Sequence, residues 1–349
     1  MIGLPEVLGG VLLLSLLLYA LLAGADFGGG VWDLLARGDR AAAQRDAVAR
    51  AIGPIWEANH VWMIVALVVL FSAFPAAFAL VMTALHVPVT LMLVGIVLRG
   101  ISFVFRKYDP EGAGEGEPSR WGRVFAISSV ITPVMLGVVL GTVSTPALGT
   151  GALPYTGGFV TPWLRPFPWT VGLLALALFS FLAAVYLTVE AKEGPLAEDF
   201  RRRALASGVA VALTGTAAWA LAGADAPELG LLQRGWGAAL TALGALLLLA
   251  TGVALVRRRY LAARVLAAGT TAAILLGWGA SQAPWLVVGA LTLREAAAPE
   301  ATLRLLVVVL AAGSVVLVPA LVYLYRTFKG GVIVVPMERG SASGPPGDG

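Results

Sequence analysis

Nine stretches of mostly apolar residues run through this chain, and that pattern leaves it one class of fold. A helix needs about 20 apolar residues to cross a hydrocarbon layer roughly 30 Å thick. A backbone surrounded by lipid must also satisfy its own N–H and C=O groups, which a helix does internally. The stretches are 4–25, 54–74, 78–100, 121–143, 169–189, 205–223, 236–256, 265–285 and 303–325. They are apolar on all faces, as helices surrounded by lipid or by other helices are. The expected fold is an all-α polytopic membrane protein with nine transmembrane helices. Composition agrees: 59% of residues are hydrophobic and only 13% charged, where soluble domains carry about 25% charged residues. A water-soluble globular enzyme is excluded. The absence of cysteine removes disulfides, thiolate metal sites, cysteine nucleophiles and attached c-type haem.

The basic residues set the orientation. Twenty of the 24 Lys and Arg follow odd-numbered stretches, among them Arg37, Arg40, Arg45, Arg50, Arg106, Arg201, Arg202, Arg203, Arg257, Arg258, Arg259 and Arg264. The other side holds only Arg165, Arg234, Arg294 and Arg304. By the positive-inside rule the N-terminus is expected outside and the C-terminus in the cytoplasm. These charges are spread over separate loops, so the net +4 does not point to nucleic acid. No basic residue precedes Arg37, so the Ala23-Gly24-Ala25 sequence is not expected to be a signal-peptide cleavage site. Residues 1–329 read as a single transmembrane domain, and 330–349 as a flexible cytoplasmic tail; the Gly/Glu/Pro run 109–118 is also read as a flexible segment. Similar basic linkers after the first and fifth stretches suggest two four-helix bundles plus one peripheral helix.

Ionisable groups within a membrane mark function by default, and here they gather in the first three stretches. Asp26 lies in Gly24-Ala25-Asp26-Phe27-Gly28-Gly29-Gly30, at the expected cytoplasmic end of the first span. Glu57 and His60 lie near the cytoplasmic start of the second, three residues apart and so on one helix face. Asp26, Glu57 and His60 are expected to form one polar cluster. Three readings of it stand side by side: a structural ion pair or cap among close-packed glycines, a proton relay of a carboxylate and a histidine, and a metal or haem site. His60 and His86 are the only imidazoles. Counted along straight helices from the turn near Pro75, their depths differ by about 7 Å, an awkward offset for two ligands of one haem. No metal-spaced cluster, phosphate loop or nucleophile triad is present.

Residues 24–34 resemble the first signature of subunit II of the cytochrome bd-type quinol oxidases. Ile52-Gly53-Pro54-Ile55-Trp56-Glu57-Ala58-Asn59-His60-Val61-Trp62 is similar to that family's second-span signature. Leu98-Arg99-Gly100 with Phe105-Arg106, Tyr186-Leu187-Thr188 and Val318-Pro319-Ala320-Leu321 agree in order and spacing, so the resemblance reaches to about Lys329. It implies a multi-pass subunit of the bacterial inner membrane, paired with a subunit I that holds haems b and d and oxidises quinol. In that family subunit II supplies no usual haem ligand. It stabilises its partner, contributes to proton uptake from the cytoplasm and in some members holds a structural quinone; some complexes carry a small accessory subunit. By position, Asp26 and Glu57 match the family's carboxylates at the cytoplasmic mouth and, with His60 beside them, are expected on the proton path; Trp56, Asn59, Trp62, Arg99 and Arg106 fall on signature positions with structural roles. This chain departs from the family in two places. Ala23 stands where the first carboxylate of an Asp-Gly-x-Asp element is common, and His60 where Gln is common. A secondary transporter and a purely structural assembly subunit are the alternative functions.

Overall fold

In a computed structural model, which describes residues 3–53, 55–106, 120–149, 155–191, 194–227 and 235–329, the apolar runs are helices. They are α1 (Leu4–Leu34), α2 (Ala41–Ile52), α3 (Trp56–Asn59), α4 (Val61–Ala73), α5 (Pro75–Ala84), α6 (His86–Phe105), α7 (Arg120–Val143), α8 (Pro166–Glu190), α9 (Pro195–Asp225), α10 (Gly235–Val256), α11 (Tyr260–Gln282) and α12 (Glu300–Lys329). Among the described residues, nine spans are long and apolar enough to cross a membrane, α3 and α4 together forming one of them. The segments 109–118 and 330–349 lie outside the described residues, as do Lys107, Lys192, Arg234 and Arg339 of the charge count. The chain divides into two units, residues 1–308 and 309–349. In the second, the described part is residues 309–329 of α12, with Pro319 inside the helix.

Several boundaries differ from the apolar pattern, each for a physical reason. The first span was expected to end at residue 25, yet α1 continues to Leu34. A glycine costs a helix interior about 1 kcal/mol against alanine, so Gly28-Gly29-Gly30 reads locally as a break. Tertiary packing reverses that preference. A Cβ on Gly28 would strike the backbone carbonyl of Phe179, one on Gly30 the Ser129 hydroxyl, and one on Gly29 would come within 2.7 Å of the Ile52 side chain. The glycines therefore let α7, α8 and α2 approach α1 more closely than any larger residue allows. The third span, expected over 78–100, is α6 (His86–Phe105); residues 78–84 belong to the short helix α5, which a break at Leu85 separates from it. Pro88 accounts for this, since its ring collides with the carbonyl four residues back, which is Ala84. The basic run Arg201–Arg203, expected in a linker, lies inside α9, which Pro195 starts at its first position.

Helix α1 is the central element of the first unit, packing against α4, α7, α8 and α11; α6 packs on α7, α8 on α9 and α10 on α11. Where α7 crosses α8, a Cβ on Gly137 would lie 2.6 Å from the Gly172 Cα, so the two backbones touch. The segment after α11 is not irregular throughout. It forms a small antiparallel hairpin, β1 (Trp285–Val287) with β2 (Leu291–Thr292), in which Trp285 faces Thr292. The Val288 amide donates to the Val143 carbonyl (2.9 Å), the Ala298 amide to the Ala73 carbonyl (2.8 Å), and Arg294 pairs with Glu6 at 2.6 Å. This segment thus ties the ends of α1, α4 and α7 together. Beside it, the amide and hydroxyl of Thr292 hold the Glu295 carboxyl below its usual range.

The close approach at Gly28 gives the first test. Gly28→Ala should lower stability by about 1–3 kcal/mol, because a backbone cannot yield as a side chain does. Gly10→Ala, with nothing within 4 Å of the added carbon, should be neutral or gain up to about 1 kcal/mol. Thermal unfolding of the purified protein compares the two.

Candidate functional site

The polar residues buried on α1 lie along one face. Ser15, Tyr19, Asp26 and Asp33 are all at most 5% exposed, and their spacings of four, seven and seven place them on one helical stripe. Ser15 satisfies itself by donating to the Val11 carbonyl at 2.8 Å. The other three meet side chains from the second and third spans.

Asp26 accepts a hydrogen bond of 2.6 Å from the Asn59 amide, on the single turn of α3. About two helical turns away on α1, the Tyr19 hydroxyl lies 3.5 Å from His60 Nδ1. The His60 ring is packed by the rings of Tyr19, Phe27 and Trp56, with centroids at 5.7, 5.9 and 6.2 Å. Arg99 reaches in from α6 and is only 2% exposed. Its Nε donates to the Ser129 hydroxyl at 3.2 Å, and its guanidinium lies 4.7 Å from the centre of the Phe27 ring and 5.1 Å from that of Phe125. The charge of Arg99 acts on both Tyr19 and His60, and that of Asp26 acts on Arg99. One guanidinium nitrogen, Nη2, has no hydrogen-bond partner among the described residues. A cation so placed is held by aromatic faces and a nearby carboxylate in place of water.

Glu57 does not join this group. It lies two residues from Asn59 on the one-turn helix α3, hence on its opposite side, and is exposed. The backbone stays helical through His60, whose amide donates to the Glu57 carbonyl at 3.1 Å, so α3 and α4 run on as one span. The two side chains nevertheless part, the His60 ring packing on Tyr19, Phe27 and Trp56 and Glu57 standing exposed. Asp26, Asn59, His60 and Arg99 come together, whereas Glu57 faces outward. Trp56 packs on His60 and on Phe103. The buried indole N–H of Trp62 has no partner among the described residues.

A second pair closes the lower end of the stripe. Asp33, fully buried, accepts from Arg106 at 2.9 Å. Next to it Asp199 of α9 accepts from Arg40 (2.7 and 2.8 Å) and Gln44 (2.9 Å), and Arg203 donates to Gln44 at 2.6 Å. The hydrogen bonds to Asp199 lift Arg40 above its ordinary range. Tyr19, Asp33 and Ser129 were not singled out by the sequence reading; the seven-residue recurrence of polar groups in α1 was the available signal for the first two.

As possible ligands, the histidines are separate: His60 sits among the rings above, and His86 is exposed at the start of α6 with Nδ1 3.0 Å from the Thr83 carbonyl. Among the described residues no three His, Asp or Glu side chains are grouped to hold a metal ion. A cavity of about 570 Å³ lies in the segment between α7 and α8, lined by Leu148, Tyr155, Thr161 and Arg165 among others, and shares no residue with the α1 stripe.

The family model described as cytochrome bd terminal oxidase subunit II matches residues 4–328. The cytochrome bd ubiquinol oxidase subunit 2 of Bacillus subtilis (strain 168) is 30% identical over 103 residues, 28% of this chain and 28% of that protein. The cytochrome bd-I ubiquinol oxidase subunit 2 of Escherichia coli (strain K12) is 29% identical over 192 residues, 51% of this chain and 46% of that protein. The aligned stretches thus span between about a quarter and a half of these relatives. Among solved structures, a chain of the bd oxidase from Geobacillus thermodenitrificans superposes with a TM-score of 0.78 at 24% identity, covering 95% of this chain and 100% of that one. At that identity the likeness is one of fold.

The Asp33–Arg106 pair gives a test of the geometry. Breaking a fully buried pair costs about 3–5 kcal/mol; because Arg106 is partly exposed, Arg106→Gln should cost about 2–3 kcal/mol on the same scale. Asp33→Asn combined with Arg106→Gln should recover part of that loss, read from unfolding of the four proteins of a double-mutant cycle. Additive effects would mean the two side chains do not interact.

Proposed function

From the premise that the chain belongs to the cytochrome bd terminal oxidase subunit II family, we propose that it is the haem-free half of a membrane oxidase that draws electrons from quinol and reduces dioxygen to water. The protein is a multi-pass integral membrane protein, and in this reading it sits in the bacterial inner membrane with its N-terminus outside and its C-terminus in the cytoplasm. We read spans one to four and five to eight as two four-helix bundles, α12 as a peripheral helix, residues 1–329 as one transmembrane domain and 330–349 as a cytoplasmic tail.

One observation carries the subunit reading. Glu57 is exposed, and so, farther along the same span, are Ile64 (59%), Val68 (44%) and Phe71 (60%). Their spacings of seven, four and three continue one stripe. An acid on such an apolar stripe costs about 2.5–3.5 kcal/mol at the centre of a bilayer, and less toward its edge. A protein partner that covers the stripe and hydrogen-bonds the carboxylate removes that cost, and the haem-bearing subunit I is the partner we propose. Haems b and d, bound by that partner, supply the electron transfer and oxygen chemistry. The crowding of His60 by three aromatic rings, with His86 at an exposed helix start, supports leaving both histidines out of haem ligation.

The carboxylates divide the proton work. Reduction of dioxygen to water consumes protons, and Asp26, Glu57 and His60 are the groups of this chain that we propose carry them. Asp26 is held in place by Asn59 and biased by Arg99, while the Tyr19–His60 contact extends the polar stripe deeper into the bundle. Glu57, on the outer side of α3, offers its proton toward the partner. Membrane quinone and lipid complete the proposed surroundings.

Glu57→Gln should slow oxygen consumption of the assembled complex by tenfold or more, within the range a positioned proton-transfer group contributes, while haem content stays native. Unchanged turnover at native haem content would remove Glu57 from the path. His60→Ala should leave both haem absorption bands in place; loss of one band from an intact complex would make His60 a ligand. The purified protein should bring a second multi-span chain with b- and d-type haem absorption. A colourless single-chain particle that transports a solute would overturn the oxidase reading.

A further inference from the structure

The turn between α10 and α11 carries three consecutive arginines, Arg257, Arg258 and Arg259. Arg258 has φ of 56°, and it is the one non-glycine residue with positive φ among the described residues. The turn closes the helix in a Schellman arrangement: the Arg259 amide donates to the Ala254 carbonyl at 2.8 Å and the Arg258 amide to the Leu255 carbonyl at 3.0 Å. Glycine adopts that left-handed position without strain and is its usual occupant. The chain places a long cation there instead, and an unfavourable backbone conformation of this kind is a reason to ask what the side chain does.

Its surroundings answer in terms of charge. Arg258 lies 3.7 Å from Glu198, near the start of α9. That carboxylate already accepts two hydrogen bonds from Arg201, at 2.6 and 2.8 Å, and one from Arg202 at 3.3 Å. Three guanidiniums thus share one carboxylate. Arg257 and Arg259 are exposed and make no ion pair among the described residues. Arg202 and Arg258 are themselves 75% and 70% exposed. Cations gathered at this density repel one another unless an anion lies between them.

The flanks identify the kind of anion. On α10, Val253 and Val256 are 51% and 63% exposed, and on α11, Leu261 and Val265 are 71% and 72% exposed. The arginines therefore sit at the boundary where polar headgroups give way to acyl chains. A soluble phosphate would have no use for these apolar side chains, whereas a phospholipid matches both parts. Basic groups at such a boundary attract anionic lipid.

We propose that the α10–α11 turn, with the start of α9, is a binding site for an anionic phospholipid, its phosphate held by Arg202, Arg257, Arg258 and Arg259 and its chains lying along Val253, Val256, Leu261 and Val265. This site does not depend on the oxidase reading.

The test uses the purified complex in a zwitterionic lipid nanodisc, with phosphatidylglycerol titrated in and bound lipid counted by native mass spectrometry. Wild type should retain phosphatidylglycerol in preference to phosphatidylcholine, and retention should weaken with salt. Each arginine removed should weaken it about fivefold, so that Arg257→Gln with Arg259→Gln lowers it about 25-fold. Arg258→Gly should weaken lipid retention while leaving the unfolding temperature unchanged or raised, because glycine fits the left-handed position. That separates loss of the site from loss of the fold. Equal retention by the variants and wild type would overturn the proposal. So would displacement of phosphatidylglycerol by inorganic phosphate at equal concentration, or a loss of partner subunit from the variants with lipid retention unchanged.

Discussion

The close approach of α1 to its neighbours is the constraint on which the rest of this structure depends. Between helices in lipid there is little hydrophobic drive, so association rests on packing and on polar contacts. Gly28 brings α1 onto the backbone of α8, and Gly24, Gly29 and Gly30 let side chains of α8, α2 and α7 pack directly on it. Once that contact exists, the polar face of α1 is enclosed by protein on every side, and a carboxylate such as Asp26 can be kept in the bundle by an amide at 2.6 Å. The glycine packing and the buried acid are one arrangement: without the first, the second would face lipid.

Two kinds of acidic site follow from the same backbone. Asp26 and Asp33 point inward and are matched by Asn59 and Arg106. Glu57 lies on the outer side of a single helical turn whose inner side carries Asn59. Residues two apart on a helix point in nearly opposite directions, so the interior and exterior roles are divided between Glu57 and Asn59 on a single turn. That offset lets one signature both stabilise the interior and present a carboxylate at the surface.

The spans were readable because length and apolarity alone decide them in a bilayer, and the matching helices differ mainly at their ends. The site was readable in its residue types but not in its grouping. Glu57 and His60 were joined by a spacing rule that places backbones but not side-chain ends, and the His60 ring turns to Tyr19 and Phe27 while Glu57 stays exposed. The glycine run looked like a helix end because local propensity ignores α8. Asp33 was passed over although it sits seven residues after Asp26, since a lone acid near a span end resembles an ordinary solvated charge. The hairpin after α11 has five strand residues in all, too few to leave a period in the sequence. The left-handed Arg258 left no trace either, as nothing in three arginines predicts a positive φ.

The central claim is that the stripe led by Glu57 faces a protein partner while the inner acids are enclosed. The absence of cysteine makes spin labelling direct: a nitroxide is attached at Ile64→Cys in the oxidised, assembled complex, with Leu213→Cys on α9 as the lipid-facing reference. Accessibility to dissolved oxygen, which concentrates in lipid, should be several-fold lower at position 64 than at position 213. Equal, high accessibility at both positions would mean that the stripe faces lipid, and the account of this chain as one half of a larger assembly through that face would be contradicted.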